Sequence, residues 1–470
     1  MTVSVPGRGL TKVTVHTSQI EEKAQAIRAL YELLVATPAA WNPYFAPTWQ
    51  ALEPLLVYKY HPDIRVAATT AMVALVEAGF ESNQKVWSSI PRLSVAVSQQ
   101  LINEANTESE DMFAMADSLS GMLYNAFSRK DEHESVLLQC FTNQIVSEIV
   151  QNCGRALQKC LERRSVLATQ MAQISSPDDK ALCQEELEEE QKLMTPLVDS
   201  IGYSLKIMGP AFAPLFEQKV VPLFGPFLTQ NVDKRARWSA VCLFDDCIEH
   251  CGPEAAARFA PQLLPAVLTG MKDSSDEDLQ QASLYGIAQM ARRVPASILA
   301  PHADSIIPTL ASIASQPKDD GNLGVHENAV SALASMVLFT SAPFRGKYVK
   351  ADTATKLLLD SMPLTEDYDE AKICSDGLCD LIESASISFA SFTQSLIRVI
   401  GETLALVAEG DEVATESTCA RMADILVLLQ REGSANDVQG AFSNLSAESQ
   451  AAVHAAVQRY SYVHKNVVTP

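Results

Sequence analysis

Cys242, Asp245, Asp246, Cys247, Glu249, His250 and Cys251 crowd into ten residues of this 470-residue chain. Thiolate, imidazole and carboxylate are the groups that zinc takes as ligands. Cys247 and Cys251 are four apart on a helical pattern, with His250 beside them. No C-x-x-C accompanies them, and cysteines at this spacing pack as small hydrophobes. They read as core, and neither a metal nor a cofactor is expected.

The carboxylates are more informative. Asp246-Cys247-Ile248-Glu249 is matched by Asp380-Leu381-Ile382-Glu383, 134 residues further on. Carboxylates three apart share a helix face. An acidic face carrying Asp245, Asp246, Glu249, Asp380 and Glu383 would bind Lys/Arg-rich segments through many weak contacts. Without a partner it is an ordinary solvated face, where single charges contribute little. Trp238 follows Arg235 and Arg237. A guanidinium stacks on an aromatic face, so Trp238 reads as a packing residue or a partner contact.

Enzyme signatures are missing from the sequence. There is no G-x-x-x-x-G-K-[ST], no G-x-S-x-G, no H-E-x-x-H and no glycine fingerprint after a strand. Seven of the eight histidines stand apart from plausible partners in sequence. No catalytic residue is assigned, and the chain reads as a binding protein rather than an enzyme.

The elements that position these residues follow from a repeat. Val220-Val221-Pro222 recurs as Leu263-Leu264-Pro265 and as Ile306-Ile307-Pro308, with the prolines 43 residues apart each time. Pro210, Pro253 and Pro295 form a second series. A period near 40–47 with helical patterning belongs to HEAT and armadillo arrays. The expected fold is all-α, a HEAT-repeat α-solenoid of stacked antiparallel helix pairs over residues 17–463. Residues 1–16 form a lead-in and 464–470 a tail. Ile20, Ala24, Ile27, Leu30, Tyr31 and Leu34 mark the first helix face. Helix pairs follow at 44–79, 85–129, 133–208, 210–251, 253–294, 297–340, 343–384 and 387–432, with a half-repeat at 435–463. The marker prolines should kink the first helix of each pair. Asp246/Glu249 and Asp380/Glu383 then fall at equivalent places in second helices, the row that usually forms the concave surface of a solenoid. The pair at 133–208 is too long for the period. Its excess, near 165–192, is expected to be an extended helix or an acidic insertion. The carboxylates of Glu185-Glu186-Leu187-Glu188-Glu189-Glu190 are expected to be solvated. The alternating run Lys12-Val13-Thr14-Val15 could be a strand, but no partner for it is evident.

Composition fits this picture. The length exceeds what one hydrophobic core supports, and 47% hydrophobic residues argue against wholesale disorder. A net charge of −21 repels nucleic acid and anionic lipid and attracts basic proteins. Ten scattered cysteines, with no leader peptide and no apolar run of membrane length, read as reduced thiols in the cytoplasm or nucleus.

Leu243-Phe244-Asp245-Asp246-Cys247-Ile248-Glu249-His250-Cys251 resembles the C-terminal half of the importin beta-3 type of karyopherin-beta. So do Thr17-Ser18-Gln19-Ile20-Glu21-Glu22-Lys23-Ala24, His61-Pro62-Asp63-Ile64-Arg65-Val66-Ala67-Ala68 and Leu378-Cys379-Asp380-Leu381-Ile382-Glu383-Ser384. Leu445-Ser446-Ala447-Glu448-Ser449-Gln450-Ala451-Ala452 is similar to that family's closing helix. The resemblance implies a nuclear transport receptor that shuttles between cytoplasm and nucleus. It implies basic cargo such as ribosomal proteins and histones, FG nucleoporins as pore partners, and regulation by Ran-GTP. Family members are about twice as long. The N-terminal repeats that make the principal Ran contact have no counterpart here, so a fragment of a longer receptor is expected. A static HEAT scaffold for a phosphatase or another assembly shares the fold and is the alternative.

Overall fold

The three- and four-residue apolar spacing becomes helix almost throughout. The computed structural model describes residues 2–5, 9–12, 17–59, 61–80, 86–103, 109–229, 233–316, 321–340, 351–384, 389–432 and 434–464. They divide into two compact units, residues 1–226 with 250–252, and residues 227–249 with 253–470.

The first unit opens on a hairpin. Strand β1 (Thr2–Val5) pairs antiparallel with β2 (Gly9–Lys12). The expected unpaired lead-in is thus corrected, because the partner strand lies just upstream of Gly9. Val13, Thr14, Val15 and residues 465–470 lie outside the described residues. Helix α1 (Thr17–Ala36) buries Ile20, Ala24, Ile27 and Leu34. After α2 (Phe45–Leu52), α3 (Pro62–Gly79) starts at Pro62, where a missing N–H costs nothing. Helices α4 (Ile90–Asn103), α5 (Ser109–Ser128) and α6 (Lys130–Cys140) follow.

The long pair is a continuous helical hairpin. Helix α7 (Asn143–Gln173) and α8 (Pro177–Met208) run for 31 and 32 residues. Thr142 and Ser176 cap them by accepting the Ile145 and Asp179 N–H groups, both at 3.4 Å. Glu185, Glu186, Glu188 and Glu189 are exposed, but Glu190 is buried. The expectation that the whole run is solvated is corrected here. Arg163 on α7 reaches Glu190 through Nε at 2.5 Å and Nη2 at 2.9 Å, and this bidentate partner makes burial tolerable. Glu190→Ala is expected to cost about 3 kcal/mol, since it strands a half-desolvated guanidinium. Denaturant unfolding checks this, and an unchanged midpoint would show that the pair contributes nothing net.

Gly209, at φ 56°, ends α8 in the left-handed region that glycine favours. The chain then advances through short turns, α9 (Ala213–Leu215), a wide π-turn at Phe216–Val220 and α10 (Val221–Phe224). Pro222 has no N–H to offer the Gln218 carbonyl, and the Val221 N–H reaches back to Phe216.

The second unit is a series of helix pairs. First helices are α12 (Pro253–Gly270), α14 (Ala296–Leu299) with α15 (Ala303–Ala314), α17 (Ala351–Ser361) and α19 (Phe389–Glu409). Second helices are α11 (Lys234–His250), α13 (Glu277–Arg293), α16 (Leu323–Leu338), α18 (Tyr368–Glu383) and α20 (Glu416–Glu432). Helices α21 (Ala435–Ser443) and α22 (Ala447–His464) close the series. The marker prolines Pro265 and Pro308 lie inside α12 and α15, and the helices continue through them. Their signature neighbours Leu263 and Ile306 are fully buried, as is Val220 in the first unit. This is why the sequence repeats there. Among the described residues no helix is long and apolar enough to cross a membrane.

Candidate protein-interaction site

The clustered cysteines of α11 serve packing. Cys247 and Cys251 are buried free thiols, and among the described residues no three ligand-type side chains converge as a metal site. Burial likewise pushes the Cys374 and Cys379 thiols of α18 up to about 12, which leaves them poor nucleophiles.

Asp245, Asp246 and Glu249 do not form one surface. At about 100° per residue the three fall on one arc of α11 with Glu249 between the other two, and burial is what separates them. Asp246 and Glu249 are half-buried. Asp245 is 2% exposed and abuts α13. A Cβ at Gly286 would stand 2.4 Å from its Oδ1, so Gly286 makes the room that Asp245 fills. Neither carboxylate oxygen of Asp245 has a hydrogen-bond partner among the described residues. Desolvation first, and the Asp246 and Glu249 charges second, hold its carboxyl well above the usual range. The expectation of a solvent-facing Asp245 is corrected, and it is a buried acid whose charged form is disfavoured.

This has a consequence for pH. The folded chain binds the Asp245 proton more tightly than the unfolded chain does. Its stabilising contribution is therefore complete below the unfolded pKa and is lost as pH rises through the folded one. Asp245→Asn should flatten the fall in melting temperature from acidic to alkaline pH. Superimposable pH profiles for the two proteins would contradict the assignment.

Glu249 accepts the Tyr285 hydroxyl of α13 at 2.6 Å. Burial, then the Glu249 charge, pushes that phenol far up and keeps it a donor. Trp238 is half-buried, and Arg235 stacks on it with Cζ 3.7 Å from the ring centre. Arg235 also reaches Asp278 on α13 at 3.3 Å. Arg237 turns inward instead, and its Nη2 donates to the Ala266 carbonyl at 3.2 Å. Trp238 thus supports the guanidinium that joins two second helices.

Asp380 and Glu383 are exposed at the last turn of α18. One guanidinium, Arg421 of α20, reaches Asp376 at 2.7 Å, Asp380 at 2.5 Å and Glu383 at 2.8 Å. Three carboxylates against one cation leave this end negative. Acids in a last turn also oppose the helix dipole. The α11 and α18 ends share that property, and both invite a cation.

At the opposite, N-terminal ends of α13, α16 and α18 lies a cleft that the matched-position reasoning missed. Its volume is about 460 Å³, and Glu366, Asp367, Tyr368, Asp369, Lys372 and Glu412 are among its lining residues. Lys372 pairs with Glu412 at 2.9 Å, and the Tyr368 hydroxyl donates to Asp411 at 2.9 Å. Asp367 caps α18 by accepting the Glu370 N–H at 3.0 Å. Beneath the loop, buried Glu327 accepts the N–H groups of Thr365 at 2.8 Å, Glu366 at 2.9 Å and Asp367 at 3.4 Å. The acid run Glu366-Asp367-Tyr368-Asp369-Glu370 was the available signal. Its last member, Glu370, turns inward to Arg292.

No family model matches the sequence. The chain is similar to the karyopherin Kap121p in a crystal structure with the SUMO protease Ulp1p. The TM-score is 0.70 at 19% identity, over 94% of this chain and 38% of that one. Against Kap121p bound to RanGTP the TM-score is 0.67 at 19% identity, over 97% and 39%. Against Kap121p bound to Nup53p it is 0.67 at 18%, over 97% and 38%. The chain therefore spans well under half the length of the karyopherin it matches. At this identity the likeness speaks to fold, and the fold of this chain is an all-α HEAT-repeat solenoid of the kind found in Kap121p.

Proposed function

We infer that this chain is part of a karyopherin-type nuclear transport receptor of the importin beta-3 kind, and that it works by binding, without bond chemistry. The observation that carries the reading is the run of excess carboxylate on the second helices of a karyopherin-like fold. Asp246 and Glu249, the Glu366–Asp369 cleft, and Asp380 with Glu383 offer a cationic partner repeated contacts along one series of helices. Lysine- and arginine-rich segments of import cargo, such as ribosomal proteins and histones, have the complementary charge. Kap121p has been crystallised with RanGTP, with Nup53p and with Ste12p. By analogy this chain takes pore phenylalanine-glycine repeats, moves between cytoplasm and nucleus, and releases cargo under Ran-GTP control exerted mainly through N-terminal repeats that lie outside it.

Two resins test the reading, one carrying phenylalanine-glycine repeats and the other a histone-tail peptide. The receptor reading expects retention on both, with the histone peptide released at high salt. Retention on neither, with capture of phosphatase or other enzyme subunits from extract, would favour the static scaffold instead.

A further inference from the structure

Helix α1 carries two apolar stripes. Ile20, Ala24, Ile27 and Leu34 are buried, and α3 packs on α1. Ala26, Ala29, Leu33 and Ala36 recur at steps of three and four on the opposite face, and all four are exposed. Leu33 is 55% exposed. Helix α3 shows what a two-sided pattern serves. It packs against both α1 and α5, and its apolar residues are buried all round. The second stripe of α1 has the same character and stands open.

Charge is scarce beside this stripe. Glu53 is the one charged residue between Leu33 and Val57, in a chain where 20% of residues are charged. Trp41 folds back onto the end of α1, and its Nε1–H donates to the Leu33 carbonyl at 3.3 Å. Its ring meets the exposed ring of Tyr44 edge-on, at 6.0 Å between centres. Aromatic enrichment and charge depletion mark the centres of protein interfaces. Two copies of a chain carrying −21 repel over most of their surfaces, and an uncharged face is where they can meet.

The stripe also complements itself. Its spacing of three, four and three reads the same in both directions. Laid antiparallel on a second α1 about a two-fold axis, Ala26 meets Ala36 and Ala29 meets Leu33 of the other copy. Small side chains at these places let the two helix axes approach closely. Arg28 and Glu32 flank the stripe on one side, both exposed and without an ion-pair partner among the described residues. The same axis sets Arg28 of each copy within one helical turn of Glu32 of the other, so opposite charges match as an isologous contact requires. Glu22, at the start of the stripe, falls opposite the uncharged residues 37–40.

We propose that the outer face of α1 is a self-association surface, on which α1 of a second copy packs antiparallel to form a dimer. The inference rests on residues 20–57 and does not depend on a transport role.

Sedimentation of the intact 470-residue chain across a concentration series tests this. The expected result is a monomer–dimer equilibrium that Leu33→Lys weakens about tenfold or more, because it sets two like charges near the axis. Leu182→Lys, at a similarly exposed leucine of α8, should change nothing. Arg28→Glu should weaken the dimer about fivefold, and adding Glu32→Arg should restore it, because the exchanged pair still matches itself across the axis. That rescue separates a lost contact from a damaged helix. A chain that stays monomeric throughout overturns the proposal. So does a dimer indifferent to Leu33→Lys, or a double variant no tighter than Arg28→Glu alone.

Discussion

Replacing Arg292 by alanine is expected to lower the unfolding free energy of the second unit by about 3–5 kcal/mol. Arg292 of α13 and Glu370 of α18 are both almost fully buried, and they pair bidentately at 2.9 and 2.5 Å. Ser335 and Ser331 of α16 accept two further N–H groups of the guanidinium, each at 2.9 Å. Ser331 also donates to Glu370. Three successive second helices thus meet in one satisfied polar cluster, and alanine leaves the Glu370 carboxylate buried without its cation. The penalty comes from the stranded charge rather than from any large net gain of the pair. Arg292→Met with Glu370→Leu should therefore recover much of the loss. Denaturant unfolding of the single and double variants decides this, and a double variant no better than the single one would contradict it.

Glu327→Ala is the other large effect, expected at about 3 kcal/mol. Hydrogen bonds to a charged group are worth about 1.5–3 kcal/mol each but are not additive. Three backbone N–H groups and the Thr365 hydroxyl lose their acceptor at once. The consequence reaches function, because these bonds shape the loop that presents Glu366 and Asp369. Amide hydrogen exchange at 365–367 should accelerate sharply, and Glu327→Gln should show a smaller change. Protected amides in the alanine variant would mean that the loop is held by something else.

The repeat was legible because the core must reuse equivalent positions. Val220, Leu263 and Ile306 stand 43 residues apart and are all buried. Helix starts at Pro62, Pro177 and Pro253 were legible from proline chemistry. What stayed hidden depends on partners distant in sequence. Arg163 and Glu190 are 27 residues apart, and Arg292 and Glu370 are 78 apart. Nothing local to Glu190 or Glu370 distinguishes them from solvated neighbours. Asp245 lies about 40° around α11 from half-buried Glu249, and that α13 closes over its side of the arc at Gly286 is not local information. Arg421 could not be assigned to Asp376, Asp380 and Glu383 until α20 was seen beside α18.

The central claim is that second-helix carboxylates hold basic segments. Its most direct measurement is the affinity of a fluorescent lysine- and arginine-rich peptide for the intact chain, taken across a salt series. The comparison is a variant carrying Asp246→Asn, Asp369→Asn, Asp380→Asn and Glu383→Gln, all outside the buried clusters. The account predicts that the variant binds about tenfold or more weakly and that its affinity varies less with salt. Equal affinity and an equal salt slope in both proteins would contradict it.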